Sequence, residues 1–396
     1  MGEACDRRVD DDLKSIVVTD GELRSSLAAT RSLAGSFDVH VVSTSVPSLA
    51  GVSRGARSET AAPDPMRTPG AFREAVDALA GARGAVAVLP ASDAACRALL
   101  LDGPWRSGAR IVAPARDAYE RSSHKGEALR LGREAGLDVP DGDEVSDLGS
   151  ARSSAERLGW PVIVKPVESV AALRKRSVVR VADPGALECA WREHVAPGAA
   201  LVQREVPGHG EGLFVLRIGG ETRAAFAHRR LREKPPSGGV SVLCESIATD
   251  PDLLARVERV LDACGFDGIA MAEFRRDGER RWLMELNARL WGSLQLAIDA
   301  GVDFPTLAVR AALGEPAGVR PEYRVGLRSR WLLGDLDHSI ALARGARDAA
   351  GRSGAWAALG VLLRPTPRPC RLDNPRAGDV RPFFHELRLW FRALHF

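Results

Sequence analysis

Short apolar runs alternate with amphipathic, helix-like stretches at the start of the chain. Strands are predicted at residues 15–19, 39–43, 84–90 and 109–113, and helices at residues 21–34, 71–80 and 94–101. A strand, a helix and a second strand in that order favour a parallel sheet, because the crossover returns the chain to the same end. Residues 1–115 are therefore expected to form a small parallel α/β domain, with residues 47–70 as a loop.

Asp93 directly follows the third of these strands, at the end of the sheet where ligands bind in open α/β folds. It either caps the next helix or binds substrate, and capping is the favoured interpretation because Asp is common at helix N-termini. No Gly-x-Gly-x-x-Gly phrase is present, so a dinucleotide-binding domain is not predicted.

The clearest hairpin pattern lies at residues 269–287, where two strand-like runs flank Asp277-Gly278. Side chains alternate between the two faces of a strand, so Glu285 and Asn287 emerge on the same face. Glu273 joins them only if the connecting loop has an odd number of residues, because a two-residue turn would put Glu273 and Glu285 on opposite faces. We predict the odd loop.

Further helical patterns occupy residues 122–135, 250–264 and 331–350, and a last one carries an apolar stripe near the C-terminus. The stripe consists of Phe383, Phe384, Leu387, Trp390, Phe391 and Leu394. It is expected to pack against its own domain, because an exposed aromatic patch would be a liability. Membrane binding or dimerisation is the alternative. The chain thus divides at residues 1–115, 116–310 and 311–396, the last part mostly helical.

Charge and cysteine usage exclude several classes of protein. The 396 residues carry 55 basic and 52 acidic side chains, so a net charge of +3 gives no case for nucleic-acid binding. Six cysteines without a C-x-x-C pair argue against a zinc site or a disulfide framework. The N-terminus lacks the profile of a signal peptide, and no apolar run reaches membrane-spanning length. A cytoplasmic protein is expected.

Two carboxylates and an amide oxygen on one strand face would make a hard-oxygen site. Glu273, Glu285 and Asn287 have the chemistry that holds Mg²⁺, with Mn²⁺ as an alternative, together with substrate phosphates. The other interpretation is a solvated acidic face crossed by Arg275 and Arg281, since exposed carboxylates are common. The neighbouring sequence favours the metal.

Lysine is rare in this arginine-rich chain, which draws attention to each one. Only Lys14, Lys125, Lys165, Lys175 and Lys234 occur. Lys165 ends an apolar strand-like run just before a proline, so its charge would be fixed at the strand's edge. Lys125 lies near a predicted helix start, where a cation works against the helix dipole and a role other than helix stabilisation is indicated.

Three phrases together resemble the ATP-grasp superfamily of carboxylate-amine ligases related to carbamoyl phosphate synthase. They are Pro161-Val-Ile-Val-Lys-Pro166, Glu273 and Met284-Glu-Leu-Asn-Ala-Arg289. The resemblance covers residues 125–303. It implies an α/β (α+β) fold, in which a small parallel α/β domain precedes a two-subdomain ATP-grasp domain and a helical C-terminal extension.

The resemblance also implies roles for individual residues. Lys125 and Lys165 would bind the phosphates of ATP, and Arg289 the transferred phosphate. Glu273, Glu285 and Asn287 would hold magnesium ions. The substrate carboxylate would be seated by basic residues of the loop after residue 227, namely Arg229, Arg230 or Lys234.

The segment from Gln203 to Val206, including Glu205, would face adenine by the same resemblance, and Glu211 would face the ribose. The alignment is ambiguous by one residue around Glu211, and its glycine neighbours are also ordinary turn chemistry. Residues 167–173 contain no glycine, whereas many relatives place a glycine-rich lid over the phosphates there. This departure from the family pattern leaves open whether the backbone of the segment cradles phosphate.

The activity implied is ATP-dependent ligation of a small-molecule carboxylate, activated as an acyl-phosphate, to an amine. No convincing Ser-His-Asp or Cys-His set is present, which agrees with a reaction that depends on alignment and charge neutralisation. An ATP-dependent phosphotransferase and a nucleotide-binding regulator without turnover are the alternatives. A homodimer is possible in either case.

Overall fold

The computed structural model describes most of the chain. The described residues are 13–167, 170–171, 174–175, 178–195, 198–316, 318, 320–348, 350–363 and 366–394. Part of the glycine-poor segment after Lys165, for which a prediction was made above, lies outside the described residues. Three larger sheets organise the described residues: a five-stranded parallel sheet, a four-stranded antiparallel sheet and a seven-stranded sheet.

The parallel sheet forms the N-terminal part and confirms the predicted α/β opening. Its elements are β1 (Ser15–Val18), α1 (Arg24–Leu33), β2 (Asp38–Ser43), β3 (Ala56–Ala61), α2 (Pro69–Ala82), β4 (Ala87–Leu89), α3 (Asp93–Leu99) and β5 (Arg110–Ile111). The strand order is β3-β2-β1-β4-β5. Strand β3 was expected to be loop, because this half-exposed edge strand has no apolar run to mark it.

The middle part builds the four-stranded sheet. Its elements are α4 (Arg116–Ser123), α5 (Lys125–Glu134), β6 (Gly142–Val145), α6 (Leu148–Leu158), β7 (Val162–Pro166), β8 (Val170–Ala171), β9 (Arg174–Lys175), β10 (Val179–Val181), α7 (Pro184–Ala190), a π-helical turn (Trp191–Val195) and β11 (Ala200–Arg204). Val162, Val164 and Val202 pack in the core of this sheet. The opposite face of the sheet carries Lys165 and Gln203.

The seven-stranded sheet dominates the rest of the chain. Its elements and their neighbours are β12 (His209–Ile218), β13 (Glu221–Lys234), β14 (Val240–Ile247), α8 (Pro251–Ala263), β15 (Gly268–Asp277), β16 (Arg280–Asn287), α9 (Leu294–Ala300), α10 (Phe304–Ala312), β17 (Arg328–Arg330), α11 (Leu332–Ala343), α12 (Ala355–Leu363), β18 (Cys370–Leu372) and α13 (Arg381–Leu394). The strand order is β16-β15-β12-β13-β14-β17-β18.

The two faces of this sheet have different neighbours. Cross-strand partners share a face, so Glu273, Glu285, Gly212 and His228 form a row on what we call the front face. On the back face, Phe274 and its ladder partner Leu283 join the core that contains the apolar residues of α5 and α8. Farther along the front face, the sheet packs on the core shared with the N-terminal parallel sheet.

The C-terminal part is only partly helical. The helix predicted at residues 331–350 is observed as the shorter α11, and the predicted aromatic helix is observed as α13. Strands β17 and β18 extend the large sheet and were not predicted, because each has three residues and contains arginine. No helix among the described residues is long and apolar enough to cross a membrane.

The expectation that the aromatic stripe of α13 is packed is wrong for part of it. Phe384 is 61% exposed, Phe391 51% and Leu394 46%. Polar groups make the contacts instead, for example the indole of Trp390, whose Nε1 donates to Asp337 Oδ1 at 2.7 Å. The stripe therefore did not predict which side of α13 faces the protein.

A buried carboxylate attaches α11 to the large sheet. Asp335 is 1% exposed and accepts from Arg232 at 2.6 and 2.7 Å, and also from Arg330. We expect Asp335→Asn to lower the free energy of unfolding by about 3 kcal/mol, because it leaves two half-buried guanidinium groups short of a counter-charge. Urea denaturation measures this loss. Asp102→Asn is the matched control, since the Asp102 side chain is 94% exposed, and an equal loss in both variants would contradict the prediction.

Candidate active site

The hairpin β15–β16 brings the two predicted carboxylates together by a route that the sequence analysis got wrong. Asp277 pairs with Arg280, so the loop is the two-residue turn Gly278-Glu279 and not an odd one. The ladder register then shifts by one residue at Met284, which has no ladder partner. This β-bulge puts Glu285 on the same face of the sheet as Glu273, and the two residues face each other across the ladder.

A chain of hydrogen bonds runs from the hairpin to the N-terminal sheet. Asn287 Nδ2 donates to Glu285 Oε1 at 3.0 Å, and Arg289 Nη2 donates to Asn287 Oδ1 at 3.0 Å. Arg289 Nε in turn donates to Asp93 Oδ2 at 2.9 Å. The three residues of the Glu-x-Asn-x-Arg phrase thus form one connected set.

Asp93 is a member of this set and does not cap α3 through its side chain. The cap is Ser92, whose hydroxyl accepts from the backbone N–H of Ala95 at 3.0 Å. Burial raises the pKa of Asp93, but the charge of Arg289 and the hydrogen bond from it outweigh burial and hold that pKa below its ordinary value. The favoured interpretation of Asp93 as a cap is therefore wrong.

Both predicted phosphate-binding lysines are buried beside these acids. Lys125 is the first residue of α5 and is 5% exposed, and Lys165 on β7 is 7% exposed. Burial lowers the pKa of Lys165, while the negative charge of Glu285 opposes that change and the positive charge of Lys125 adds to it. The structure therefore brings two ammonium groups to the same region as the hairpin carboxylates.

Two cavities meet at this region. One has a volume of about 450 Å³ and the other about 790 Å³. Both are lined by Asp93, Lys125, Glu285 and Asn287. The larger cavity also reaches Arg289. A charged ligand bound between the lysines and the hairpin would therefore lie in an open cleft.

Arg230 is the one predicted carboxylate-binding arginine that lies on the front face. It makes two bonds with Glu273, at 3.1 and 2.7 Å, and one with Glu233 at 3.1 Å. Its Nε atom and the Nε2 atom of His228 are buried without a hydrogen-bond partner among the described residues. An unpaired buried N–H group is costly, so Arg230 Nε indicates a place for an acceptor.

His228 was missed by the sequence analysis. Burial, followed by the charge of Arg230, lowers the pKa of His228 to about 3, so the ring is neutral at physiological pH. Its Nε2 lies over Gly212, where a Cβ would be only 3.0 Å away. Two-residue alternation along β13 from Arg230 could have placed it on the same face.

Glu211 and Arg229 lie on the back face and leave the site. Glu211 pairs with Phe274 in the ladder and accepts from Arg281 at 2.8 Å, with Arg276 at 3.5 Å. Arg229 pairs with Glu245 at 2.5 Å. Both side chains point away from Glu273, so this geometry does not support the predicted ribose role of Glu211 or the predicted carboxylate role of Arg229, and both stay predictions.

The remaining predicted site residues do not share one environment. Gln203 shares its sheet face with Lys165, is 2% exposed, and its Nε2 has no hydrogen-bond partner among the described residues. The Glu205 carboxylate instead pairs with Arg180 at 2.9 Å, and Val206 is buried. Lys234 bonds to Asp337 and lies 5.4 Å from the ring of Trp331.

The oxygen donors of the hairpin fit a divalent cation of the hard type. No group of three or more His, Cys, Asp or Glu that could hold a metal occurs in the described part of the chain. The candidate set is two carboxylates and one amide oxygen, from Glu273, Glu285 and Asn287. Each carboxylate keeps lone pairs beyond those used by Arg230 and Asn287, so the set can still serve as Mg²⁺ ligands.

Comparison with known proteins gives the class. Residues 200–334 match the family described as "ATP-grasp in the biosynthetic pathway with Ter operon". The biotin carboxylase–ATP analogue complex from Campylobacter jejuni has a similar fold, with a TM-score of 0.64, 17% identity, and coverage of 80% of this chain and 74% of that chain. The fold is thus the ATP-grasp fold.

Two curated relatives are similar in sequence. Formate-dependent phosphoribosylglycinamide formyltransferase of Burkholderia thailandensis is 28% identical over 306 residues, 73% of each chain. Biotin carboxylase of Haemophilus influenzae is 23% identical over 238 residues, 55% of this chain. The chain spans about half of that relative, 51% of its length. The matched segment and these similarities relate the chain to ATP-grasp proteins, and the structural likeness shows that it shares their fold.

The back-face position of Glu211 has a measurable consequence. Its pKa of about 2 lies below the ordinary 4.5, so its contribution to stability is complete above pH 4.5 and is lost as the pH falls towards 2. We expect Glu211→Gln to lower the free energy of unfolding at pH 7 by about 2 kcal/mol, and the wild type and variant to converge at low pH.

Nucleotide affinity separates this structural role from the predicted ribose role. We expect Glu211→Gln to bind ATP as the wild type does, measured by calorimetry, with Glu279→Gln as the control because its side chain is 96% exposed. A variant of unchanged stability that binds ATP weakly would restore the ribose role.

Proposed function

We propose that this protein is an ATP-dependent ligase that activates a carboxylate as an acyl-phosphate and joins it to an amine. The observation that carries the proposal is the connected set Glu285, Asn287 and Arg289 beside the buried Lys125 and Lys165. Such a set neutralises and aligns phosphates more than it supplies a nucleophile, which is what phosphoryl transfer needs.

The nucleotide would lie between the two sheets. Lys125 and Lys165 supply positive charge for its phosphates, and the amide N–H of Gln203, which has no partner within the described part of the chain, is available for the base. Glu285 and Asn287, with Glu273, would hold Mg²⁺, which supplies charge neutralisation between phosphate oxygens when bound. Mn²⁺ has the same ligand preference. We also propose that main-chain groups of Glu205 and Val206 face the edge of the adenine ring.

The carboxylate substrate would be seated by Arg230. Its two Nη groups are engaged by Glu273, Glu233 and the Gly239 carbonyl, and its buried Nε, which has no hydrogen-bond partner among the described residues, supports this role. His228 adds a neutral ring nitrogen beside it. Arg229 lies on the other face and pairs with Glu245, and Lys234 bonds to Asp337 of α11, so Arg230 is preferred for this role.

The reaction has two balanced steps. A carboxylate oxygen of the substrate attacks the γ-phosphorus of ATP, the bond to the β–γ bridging oxygen breaks, and ADP leaves. The nitrogen of the neutral amine then attacks the acyl carbon, the bond from that carbon to the phosphate oxygen breaks, and phosphate leaves while the nitrogen loses a proton. Arg289 lies beside Asn287 and would stabilise the charge on the phosphate in both steps.

The division of the chain remains part of the proposal. We keep residues 1–115, 116–310 and 311–396 as its units, with the last one contributing two strands to the large sheet. The described cysteines are free thiols, which supports a reducing compartment such as the cytoplasm. A homodimer is compatible with this arrangement.

Glu285→Gln tests the metal and phosphate site. We expect ADP release to fall by about 10²-fold or more, because a carboxylate ligand becomes a neutral amide while the fold keeps its hydrogen bond to Asn287. ADP release is measured across pairs of carboxylates and amines, with Glu279→Gln as the control. Full turnover in Glu285→Gln would refute the assignment, and a stable phosphoester product would favour a phosphotransferase.

Arg230 and Arg229 form a matched pair for testing the carboxylate seat. We expect Arg230→Lys to raise the KM for the carboxylate about tenfold or more, because a lysine cannot reproduce the two-bond fork. Arg229→Lys should leave it unchanged, since Arg229 is on the back face and paired with Glu245. Steady-state kinetics with varied carboxylate decide between them. Equal effects in the two variants would contradict the seat.

A further inference from the structure

Exposed aromatic side chains are confined to the C-terminal part of the chain. Among the described residues, the exposed Phe, Tyr and Trp side chains are those of Trp356, Phe384 and Phe391, and Trp356 is 86% exposed. Leu363 on α12 is also largely exposed. Exposed apolar side chains gathered in one region indicate a surface that meets another molecule or a membrane.

Helix α13 presents part of this surface as a stripe. Phe384, Leu387, Phe391 and Leu394 follow one another at intervals of three, four and three residues, so they lie on one face of the helix. Leu387 is partly exposed and the other three are exposed. We call these four residues the outer stripe, and they extend over about 15 Å of helix.

A different side of α13 attaches the helix to the protein. Glu386 accepts from Nε1 of Trp331 at 2.7 Å, and Nε1 of Trp390 donates to Asp337 Oδ1 at 2.7 Å. On a helix of 3.6 residues per turn, positions 386 and 390 lie about 100° from the centre of the outer stripe. Polar contacts therefore hold α13 in place while the outer stripe stays exposed.

A row of arginines borders the outer stripe. Arg381, Arg388 and Arg392 follow at intervals of seven and four residues and lie on the adjacent face of α13. All three are exposed, and none forms an ion pair within the part of the chain that the structure describes. Glu386, the one acidic residue in the sequence of α13, is engaged by Trp331. The exposed side of the helix thus combines apolar side chains with positive charge.

Positive charge prevails over the whole C-terminal part. Residues 311–396 contain 14 arginines, no lysine and 8 acidic residues, a net charge of +6, whereas residues 1–310 have a net charge of −3. Arg344 and Arg347, which follow α11, are exposed as well. A partner that covers the outer stripe must therefore be negatively charged and must also accept apolar side chains.

An anionic lipid surface meets both requirements. The boundary between headgroups and acyl chains accepts aromatic and leucine side chains, and lipid phosphates attract the bordering arginines. A second copy of the chain is less suited, because a two-fold contact places the same positive patch on both sides of the interface.

We propose that α13 binds the surface of anionic membranes, with the outer stripe at the acyl boundary and Arg381, Arg388 and Arg392 against lipid phosphates. The helix would lie in the plane of the interface and would make the protein a peripheral membrane protein. This inference does not depend on the proposed ligase function, and its test needs no substrate.

Vesicle sedimentation of the full chain tests the charge requirement. One set of vesicles is phosphatidylcholine alone, and the other contains phosphatidylglycerol and phosphatidylcholine in equal parts. We expect at least about tenfold tighter binding to the anionic vesicles, and weaker binding as salt is raised. Failure to bind either vesicle, or equal binding to both, would overturn the inference.

Paired substitutions on α13 test the two stripes separately. We expect the double variant Phe384→Ser, Phe391→Ser to bind the anionic vesicles about tenfold more weakly or worse, because it loses apolar area. Arg388→Glu with Arg392→Glu should have an effect at least as large. Arg388→Lys with Arg392→Lys should bind as the wild type does, because attraction to the membrane depends on charge and not on the guanidinium fork.

Matched controls come from the N-terminal part of the chain. Val46→Ser and Arg110→Glu change exposed residues outside α13 and should bind vesicles as the wild type does. Circular dichroism checks the fold of each variant, and the comparison of the two vesicles with wild-type protein decides the question even if a variant misfolds.

Sedimentation velocity without lipid distinguishes the membrane from a second copy. We expect the wild type and the Phe384→Ser, Phe391→Ser variant to have the same oligomeric state. A dimer that this variant dissociates would assign the outer stripe to a second copy and would overturn the inference. Wild-type vesicle binding by both the serine and the glutamate variants would overturn it as well.

Discussion

The ion pair of Arg289 with Asp93 is the interaction on which the candidate site depends. The guanidinium lies between Asp93 from the parallel sheet and Asn287 from the hairpin, with bonds of 2.9 and 3.0 Å. Its side chain is half-buried, and a charge partly removed from water is stabilised by such partners. The position of the phosphate region is therefore coupled to the packing of the N-terminal sheet against the seven-stranded sheet.

The face of the sheet on which an acidic residue lies decides whether its carboxylate can belong to the site. Glu211 and Glu273 look equivalent in sequence, since both are glutamates on neighbouring strands of one sheet. The ladder pairs Glu273 with Gly212 and not with Glu211, so the two carboxylates project from opposite faces. One faces Arg230 on the front face, and the other is bound by arginines on the back face. A shift of one residue in register would exchange their roles.

Local pattern predicted the parallel sheet, the hairpin and the facing of Glu285 and Asn287, because these follow from periods of two and from short connections. The bulge at Met284 was not predictable in the same way, since no residue type marks it and it depends on the whole ladder. Pairs of side chains that are far apart in the chain could not be predicted from local pattern either. Arg289 and Asp93 are 196 residues apart in the chain, and only the tertiary fold makes them a pair.

Charges of both signs line the cleft. Lys125 and Arg289 lie at the phosphate end, whereas Asp20, Glu22 and Glu386 lie at the far end together with Arg24, whose guanidinium pairs with Asp373. Burial raises the pKa of Asp20 and that of Glu386 above the ordinary value, so the charge of the far end depends on Arg24 as well as on these carboxylates. The fold therefore holds the far end through neutral hydrogen bonds and the phosphate end through the Arg289–Asp93 ion pair.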